Sequence, residues 1–365
     1  MKFEKLDRML QSYIPSPKIP GGEIIIWQHG KELFRKQYGF RDYLQKEPVQ
    51  GDEFYFVYSC TKVLTCAALL HLIEEGKLSL DDRLSDYIPA FADVRLKDGS
   101  RPKNPILIRH CFSMSSGMNY DLNAPAIREA LRKNPNAGAR EIADAIAKIP
   151  LSFEPGSHYQ YSLSHDVLAA VAEEICGKPF EEYVREWAFE PLGIKELYFE
   201  ENEHTMANMA AHYAASEERA HSRPMINPYI FSPHYHSGGA GLIAKPSEYI
   251  KFFSALSMGG QGLLRPETIE MFKVPQLNEQ ALSEFRNKTR KKSYAYGLGV
   301  RVKVMENGGS PLGEFGWDGA AGAYSLVDTE NELAVLYCQH VTGCQIAYDE
   351  VHEKIRDPLY QELNQ

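Results

Sequence analysis

Long apolar runs are missing from this sequence. None approaches the roughly eighteen residues that a membrane-spanning helix needs, so no span is expected. Positive charge is in short supply as well: 40 Lys and Arg stand against 49 Asp and Glu, for a net charge of −9. That balance argues against nucleic acid as a partner, because phosphate binding requires a basic footprint. The six cysteines (Cys60, Cys66, Cys111, Cys176, Cys338 and Cys344) include no C-x-x-C pair. This removes zinc ribbons and dithiol redox motifs, and leaves free thiols in a reducing compartment as the simplest account. Met1-Lys2-Phe3-Glu4-Lys5-Leu6 offers neither an apolar core nor a small-residue cleavage site, so a cytoplasmic protein is the expectation. The G-x-S-x-G elbow and the P-loop are also absent, and Gly297-Leu298-Gly299 lacks the third glycine of a dinucleotide fingerprint. No internal repeat or low-complexity segment stands out.

What is present is a 365-residue chain with 44% hydrophobic residues, enough for a large core. Phe3, Leu6, Leu10 and Ile14 recur at helical spacing and predict a first helix over residues 1–14, stopped by Pro15, Pro17 and Pro20. Residues 22–28 read as a buried strand, and 32–38 as its hairpin partner across the His29-Gly30 turn. From 106 to 194 the apolar period is mainly helical, while 197–236 reads as loops over one face. Residues 238–244 read as a glycine turn running into a short strand, followed by a helix that starts at Pro246. Four β-rich runs (297–304, 311–315, 323–327 and 333–338) precede a last helix over about 347–363. The length allows one two-lobed domain or two domains, and the pattern is that of an α+β fold. An antiparallel sheet flanked by terminal helices would come from about 1–55 and 238–365, and a mainly helical lobe from about 56–237.

The chemistry concentrates at Tyr58-Ser59-Cys60-Thr61-Lys62, the start of an apolar helical stretch. Ser59 and Lys62 lie one turn apart on one helical face. A serine at a helix N-terminus meets unpartnered N–H groups, which favour the negative charge that develops in acyl transfer. Lys62 lies among apolar residues, where desolvation lowers its pKa. Holding it neutral at pH 7 requires roughly 4 kcal/mol, which only a buried site supplies. A lone S-x-x-K is weak evidence. Ser100-Arg101-Pro102-Lys103 also matches, but in a charged loop whose proline prevents a helical face. Tyr161, in the turn Glu154-Pro155-Gly156-Ser157-His158-Tyr159-Gln160-Tyr161, is a candidate proton shuttle, its pKa lowered by a nearby ammonium. The alternative is a packed aromatic. Gly316-Trp317-Asp318-Gly319-Ala320-Ala321-Gly322 reads either as a type I′ hairpin turn at Asp318-Gly319 or as a strand edge open to substrate. In the second reading the Ala320 and Ser59 N–H groups form an oxyanion hole, with Trp317 and Gly319 beside the substrate.

These three elements, in this order, resemble the serine β-lactamase and penicillin-binding-protein superfamily, in its class C β-lactamase-like and esterase branch. Residues 54–62, 109–118, 153–156 and 237–242 add further likeness, so the resemblance covers about residues 20–340. It implies a β-lactamase/transpeptidase-like fold in one domain spanning 1–365, and a cofactor-free serine hydrolase or acyltransferase working through an acyl-enzyme. Ser59 would be the nucleophile, with Lys62 and Tyr161 sharing proton transfer; which of them is the base stays open, since a close pair titrates as a unit. Two positions depart from the family pattern. Leu163 stands where an Asn is expected two places after the tyrosine, and a packing role beside Val167 and Val171 accounts for it. Trp317 stands where a carboxylate-binding Lys occurs in the β-lactam-active branches. Both departures favour small esters over β-lactams or D-Ala peptides, with a non-turnover acyl-binding sensor as the alternative from another class.

The remaining clusters read more plainly. His221, His234 and His236 lack partnering carboxylate or cysteine spacing, so surface or pocket-lining roles are expected, and no metal site. The basic run Arg286, Lys288, Arg290, Lys291 and Lys292 reads as a solvated loop. Residues 197–236 and 275–293 are expected to shape the pocket. A small-molecule ester or amide is the expected partner, and no cofactor is implied.

Overall fold

The computed structural model describes residues 3–363. Its main sheet has eight strands, all paired antiparallel. In order across the sheet they are Glu47–Pro48, Lys31–Asp42, Gly21–Gln28, Leu333–Gln339, Tyr324–Asp328, Phe315–Gly316, Arg301–Lys303 and Tyr294–Tyr296. The first hairpin therefore joins the last strands directly: Gly22 opposes Gln339 and Gln28 opposes Leu333. Ile24, Ile25 and Ile26 are all fully buried, because one face of this strand meets the Pro246–Ser257 helix and the other the terminal helices. A strand covered on both faces reads as a continuous apolar run, as residues 24–26 do.

The terminal helices Glu4–Gln11 and His352–Leu363 pack together on the outer face of the sheet. Glu362 accepts hydrogen bonds from the Lys5 and Leu6 N–H groups at 2.8 and 3.0 Å. A carboxylate from the end of the chain thus serves the unpartnered donors at the start of the first helix. The predicted first helix is shorter than expected, and its first two positions lie outside the described residues.

The other face of the sheet carries the helices of the middle of the chain. Two of them, Thr61–Glu74 and Ser164–Cys176, lie against each other in the largest apolar cluster. Thr61 through Leu70 is buried on every side, as expected for a helix in the centre of a large core.

Two expectations require correction. Residues 197–236 are not only loops. Leu197–Tyr198 joins Tyr55–Phe56 and Ile243–Ala244 in a small sheet, while Tyr213–Ala215 and Ala220–Ser222 form another with Val341–Thr342. Two- and three-residue strands leave no period long enough to detect in a sequence. The run 297–304 also splits into a turn, closed by the Gly297 N–H donating to the Val300 carbonyl, and the strand Arg301–Lys303.

Candidate active site

Ser59 sits in a single 3-10 turn, Tyr58–Cys60, that leads into the Thr61–Glu74 helix. Tyr58 adopts a left-handed backbone (φ 44°), uncommon for a bulky residue and the kind of local strain that surrounding packing must hold. Its ring is fixed against Phe56, His212 and Tyr229. Thr61 staples the turn by donating from Oγ1 to the Tyr58 carbonyl and accepting from the Leu242 N–H. Ser59 is 8% exposed, enough to face a cleft of about 540 Å³.

Lys62 is fully buried. Its Nζ donates to Ser59 Oγ at 3.2 Å and to the Gly239 carbonyl at 2.5 Å. It also stands 4.7 Å from the Tyr161 ring centre and 5.5 Å from that of Tyr120. Burial pushes its pKa down to about 8, while Asp166 and the thiols of Cys66 and Cys60 act in the opposite sense. The Gly239 carbonyl accepts a hydrogen bond from Lys62 Nζ without any Asn after the tyrosine. Leu163 at that position is buried and packs in the same apolar cluster as Val167 and Val171.

Tyr161 is stacked between Tyr120 (5.5 Å, 5° between planes) and Trp317 (5.9 Å, 16°). Its phenol oxygen accepts from the Trp317 indole at 2.9 Å and is hydrogen-bonded to Ser59. The expectation that the ammonium lowers the phenol pKa is overturned: burial raises it well above its ordinary value, and the Ser59 and Trp317 hydrogen bonds only partly offset this. Tyr161 is therefore a neutral phenol at rest.

The third element approaches the Ser59 turn through a glycine. A Cβ on Gly319 would lie 2.3 Å from the Val57 carbonyl, two residues before Ser59, so only glycine permits this contact. Cys60 Sγ donates to the Trp317 carbonyl from the same side. No type I′ turn forms at Asp318-Gly319, since neither residue has positive φ. Asp318 instead bridges to Tyr324, and the chain turns over Gly319–Gly322, where the Gly322 N–H donates to the Gly319 carbonyl. Among the described residues, neither the Ser59 nor the Ala320 N–H donates to another backbone or side-chain group, and both residues line the cleft.

One contributor went unread in the sequence. Asp166 lies inside the Ser164–Cys176 helix, nearly buried, and accepts from Tyr235 Oη (2.9 Å), Ser237 Oγ (2.5 Å) and the Gly239 N–H (3.3 Å). It thereby holds the glycine segment whose carbonyl receives Lys62. Burial raises its pKa, opposed by Lys62 and these donors. The available signal was a carboxylate amid the apolar positions Val167, Leu168 and Val171. Tyr120 carried no comparable signal. Of the histidines, His221 is exposed and His236 lies 3.7 Å from Glu181; no cluster suited to a metal occurs among the described residues.

A buried serine-lysine pair beside a stacked tyrosine, on an antiparallel sheet with a helical face, defines the protein as a serine hydrolase. More particularly, the chain belongs to the beta-lactamase family, whose model matches residues 6–343. Protein Rv1367c of Mycobacterium tuberculosis (strain ATCC 25618 / H37Rv) is 27% identical over 341 residues, covering 87% of this chain and 85% of the relative. Esterase EstB of Burkholderia gladioli is 28% identical over 366 residues, covering 91% and 88%. Among solved structures, EstCE1, described as a hydrolase with promiscuous acyltransferase activity, superposes with a TM-score of 0.83 at 25% identity and 98% coverage of both chains. Simvastatin synthase (LovD) from Aspergillus terreus gives 0.82 at 19% identity, covering 99% of this chain and 98% of that one, a likeness of fold alone.

Proposed function

We propose that the protein is a carboxylesterase-like enzyme that forms an acyl-enzyme on Ser59. The observation that carries this reading is the Ser59 hydroxyl held between the Lys62 amine and the Tyr161 phenol at the floor of an aromatic cleft. In this mechanism the neutral Lys62 amine accepts the Ser59 proton as Oγ attacks the ester carbonyl. The charge on the carbonyl oxygen is met by the Ser59 and Ala320 N–H groups. Tyr161, a phenol within reach of both Ser59 and the cleft, gives its proton to the leaving alkoxide as it takes one from the Lys62 ammonium, so that both groups end acylation in the protonation states in which they began. Lys62 with a pKa near 8 suits the role of base better than a phenol raised by burial. Water, or a second alcohol, then releases the acyl group.

Esters are favoured over β-lactams and peptides because Trp317 fills the position of the carboxylate-binding lysine and Leu163 that of the amide-recognising Asn. The kinship with Esterase EstB supports the same choice. The test compares short-chain nitrophenyl esters, a chromogenic cephalosporin and a fluorophosphonate probe, each with wild type and Ser59→Ala. Ester turnover that disappears in the variant, with little cephalosporin hydrolysis, is expected. Stoichiometric labelling without turnover would point to an acyl-binding sensor, and full activity in Ser59→Ala would exclude the serine mechanism.

A further inference from the structure

Three residues of the basic run expected to be a solvated loop line the cleft instead. The Glu279–Thr289 helix ends at Arg290 in the left-handed conformation (φ 60°), which reverses the chain at the cleft. Three cations, Lys288, Arg290 and Lys291, line the cleft, against one carboxylate, Asp318. That carboxylate is already committed: Lys291 Nζ lies 2.8 Å and Arg301 Nη1 3.0 Å from it. Arg290 pairs with Asp349 at 2.6 Å. Lys288 differs. It is exposed, its ammonium donates to the neutral Tyr159 carbonyl at 2.9 Å, and it takes part in no ion pair among the described residues. The nearest acid on its own helix, Glu284, feels its charge but is occupied by His158 (2.7 Å) and the Tyr159 N–H (2.9 Å).

The cleft thus combines aromatic side chains with a positive charge that is paired with no carboxylate among the described residues, the Lys288 ammonium standing 5.9 Å from the Tyr159 ring centre. The strand at Trp317 has no lysine, yet the site has a cation, supplied from another element. Taking the esterase reading as its basis, we propose that the substrates are esters bearing a carboxylate group, which Lys288 receives at the cleft wall while the apolar portion lies against Tyr229, Tyr120 and Trp317. A carboxylate there gains a charge-assisted hydrogen bond and completes the charge balance of the wall. Because Lys288 is exposed, the gain is modest and sensitive to salt.

The carboxylate can belong to the acyl or to the alcohol portion, and two ester pairs separate these. The first pairs 4-nitrophenyl hexanoate with the 4-nitrophenyl monoester of adipic acid. The second pairs phenyl hexanoate with 3-carboxyphenyl hexanoate. For wild type, the charged member of at least one pair is expected to have a kcat/KM roughly tenfold higher at low salt. That ratio should shrink toward one in Lys288→Gln and fall below one in Lys288→Glu. Ratios that are the same in wild type and Lys288→Glu for both pairs would overturn the proposal. Turnover of the neutral hexanoates, and its loss in Ser59→Ala, tests the esterase reading separately. If no ester is turned over, the thermal shift given by 3-carboxyphenylboronic acid against phenylboronic acid decides: a larger shift for the carboxylated compound, abolished in Lys288→Glu, supports the subsite, and equal shifts refute it.

Discussion

At the scale of single residues, burial assigns the chemistry. Lys62 and Tyr161 share one enclosure, yet burial moves their pKa values in opposite directions, since it disfavours an ammonium in one case and a phenolate in the other. Lys62 is thus the group that titrates near neutrality. Its base form falls about tenfold per pH unit below 8, so kcat/KM for a neutral ester should rise with pH and level off above a midpoint near 8. Asp166 raises the Lys62 pKa by its charge. Asp166→Asn is therefore expected to shift the midpoint of that profile to lower pH. An unmoved midpoint would mean that the Asp166 carboxyl is already protonated in the wild type. Tyr161→Phe keeps the stack with Tyr120 and Trp317 and removes the hydroxyl. A fall in the acylation rate constant of about 10²–10⁴, measured in single-turnover experiments, is expected for a positioned acid.

At the scale of elements, the site is made where three backbone segments meet at glycine contacts. Gly319 lies against the Val57 carbonyl, and Gly239 lies against Asp166, where a Cβ would come within 2.2 Å of Oδ2. A side chain at Gly319 would push the Trp317–Ala320 segment away from the turn that carries Ser59. Gly319→Ala should consequently lower kcat by about 10²-fold, the cost typical of a displacement near 1 Å, with the far-ultraviolet circular dichroism unchanged. Full activity in this variant would show that the segment does not need its present distance from Ser59. The Asp318-Gly319 pair also shows how the fold chooses between two readings that the sequence left open. A dipeptide favoured in type I′ turns is here part of a bridge to Tyr324, because Asp318 is drawn into a buried ionic network.

That network belongs to the molecule as a whole. Arg301 is fully buried behind the Trp317–Ala320 segment. It pairs with Asp318, donates to the Ser325 carbonyl at 2.7 Å and lies 4.5 Å from the Tyr324 ring. Burial by itself opposes ionisation of Asp318, but Lys291, Arg301 and His352 outweigh it and hold the carboxyl well below the usual range. The network joins the late strands, the cleft wall at Lys291 and the terminal helix at His352. Arg301→Met leaves Asp318 short of a partner, and a loss of about 3–5 kcal/mol is expected from urea denaturation. A change under 1 kcal/mol would show that Lys291 alone suffices.

The sequence by itself determined what depends on neighbours along the chain. Helical spacing joined Ser59 to Lys62 and separated that pair from the Ser100–Lys103 match, and alternating or continuous apolar runs marked most strands of the sheet. Each of these signals is carried by residues within one turn or one strand, where backbone geometry fixes which side chains meet. Tertiary structure decided the rest. The bond from Trp317 to Tyr161 spans 156 positions, and the hold of Asp166 on Gly239 spans 73. No local period records such distances. The protonation states of Lys62 and Tyr161 likewise depend on what several remote elements exclude from water, and Lys288 is held at the cleft by the Tyr159 carbonyl, 129 positions away. Desolvation is a property of the assembled fold and has no counterpart in the spacing of residues along the chain.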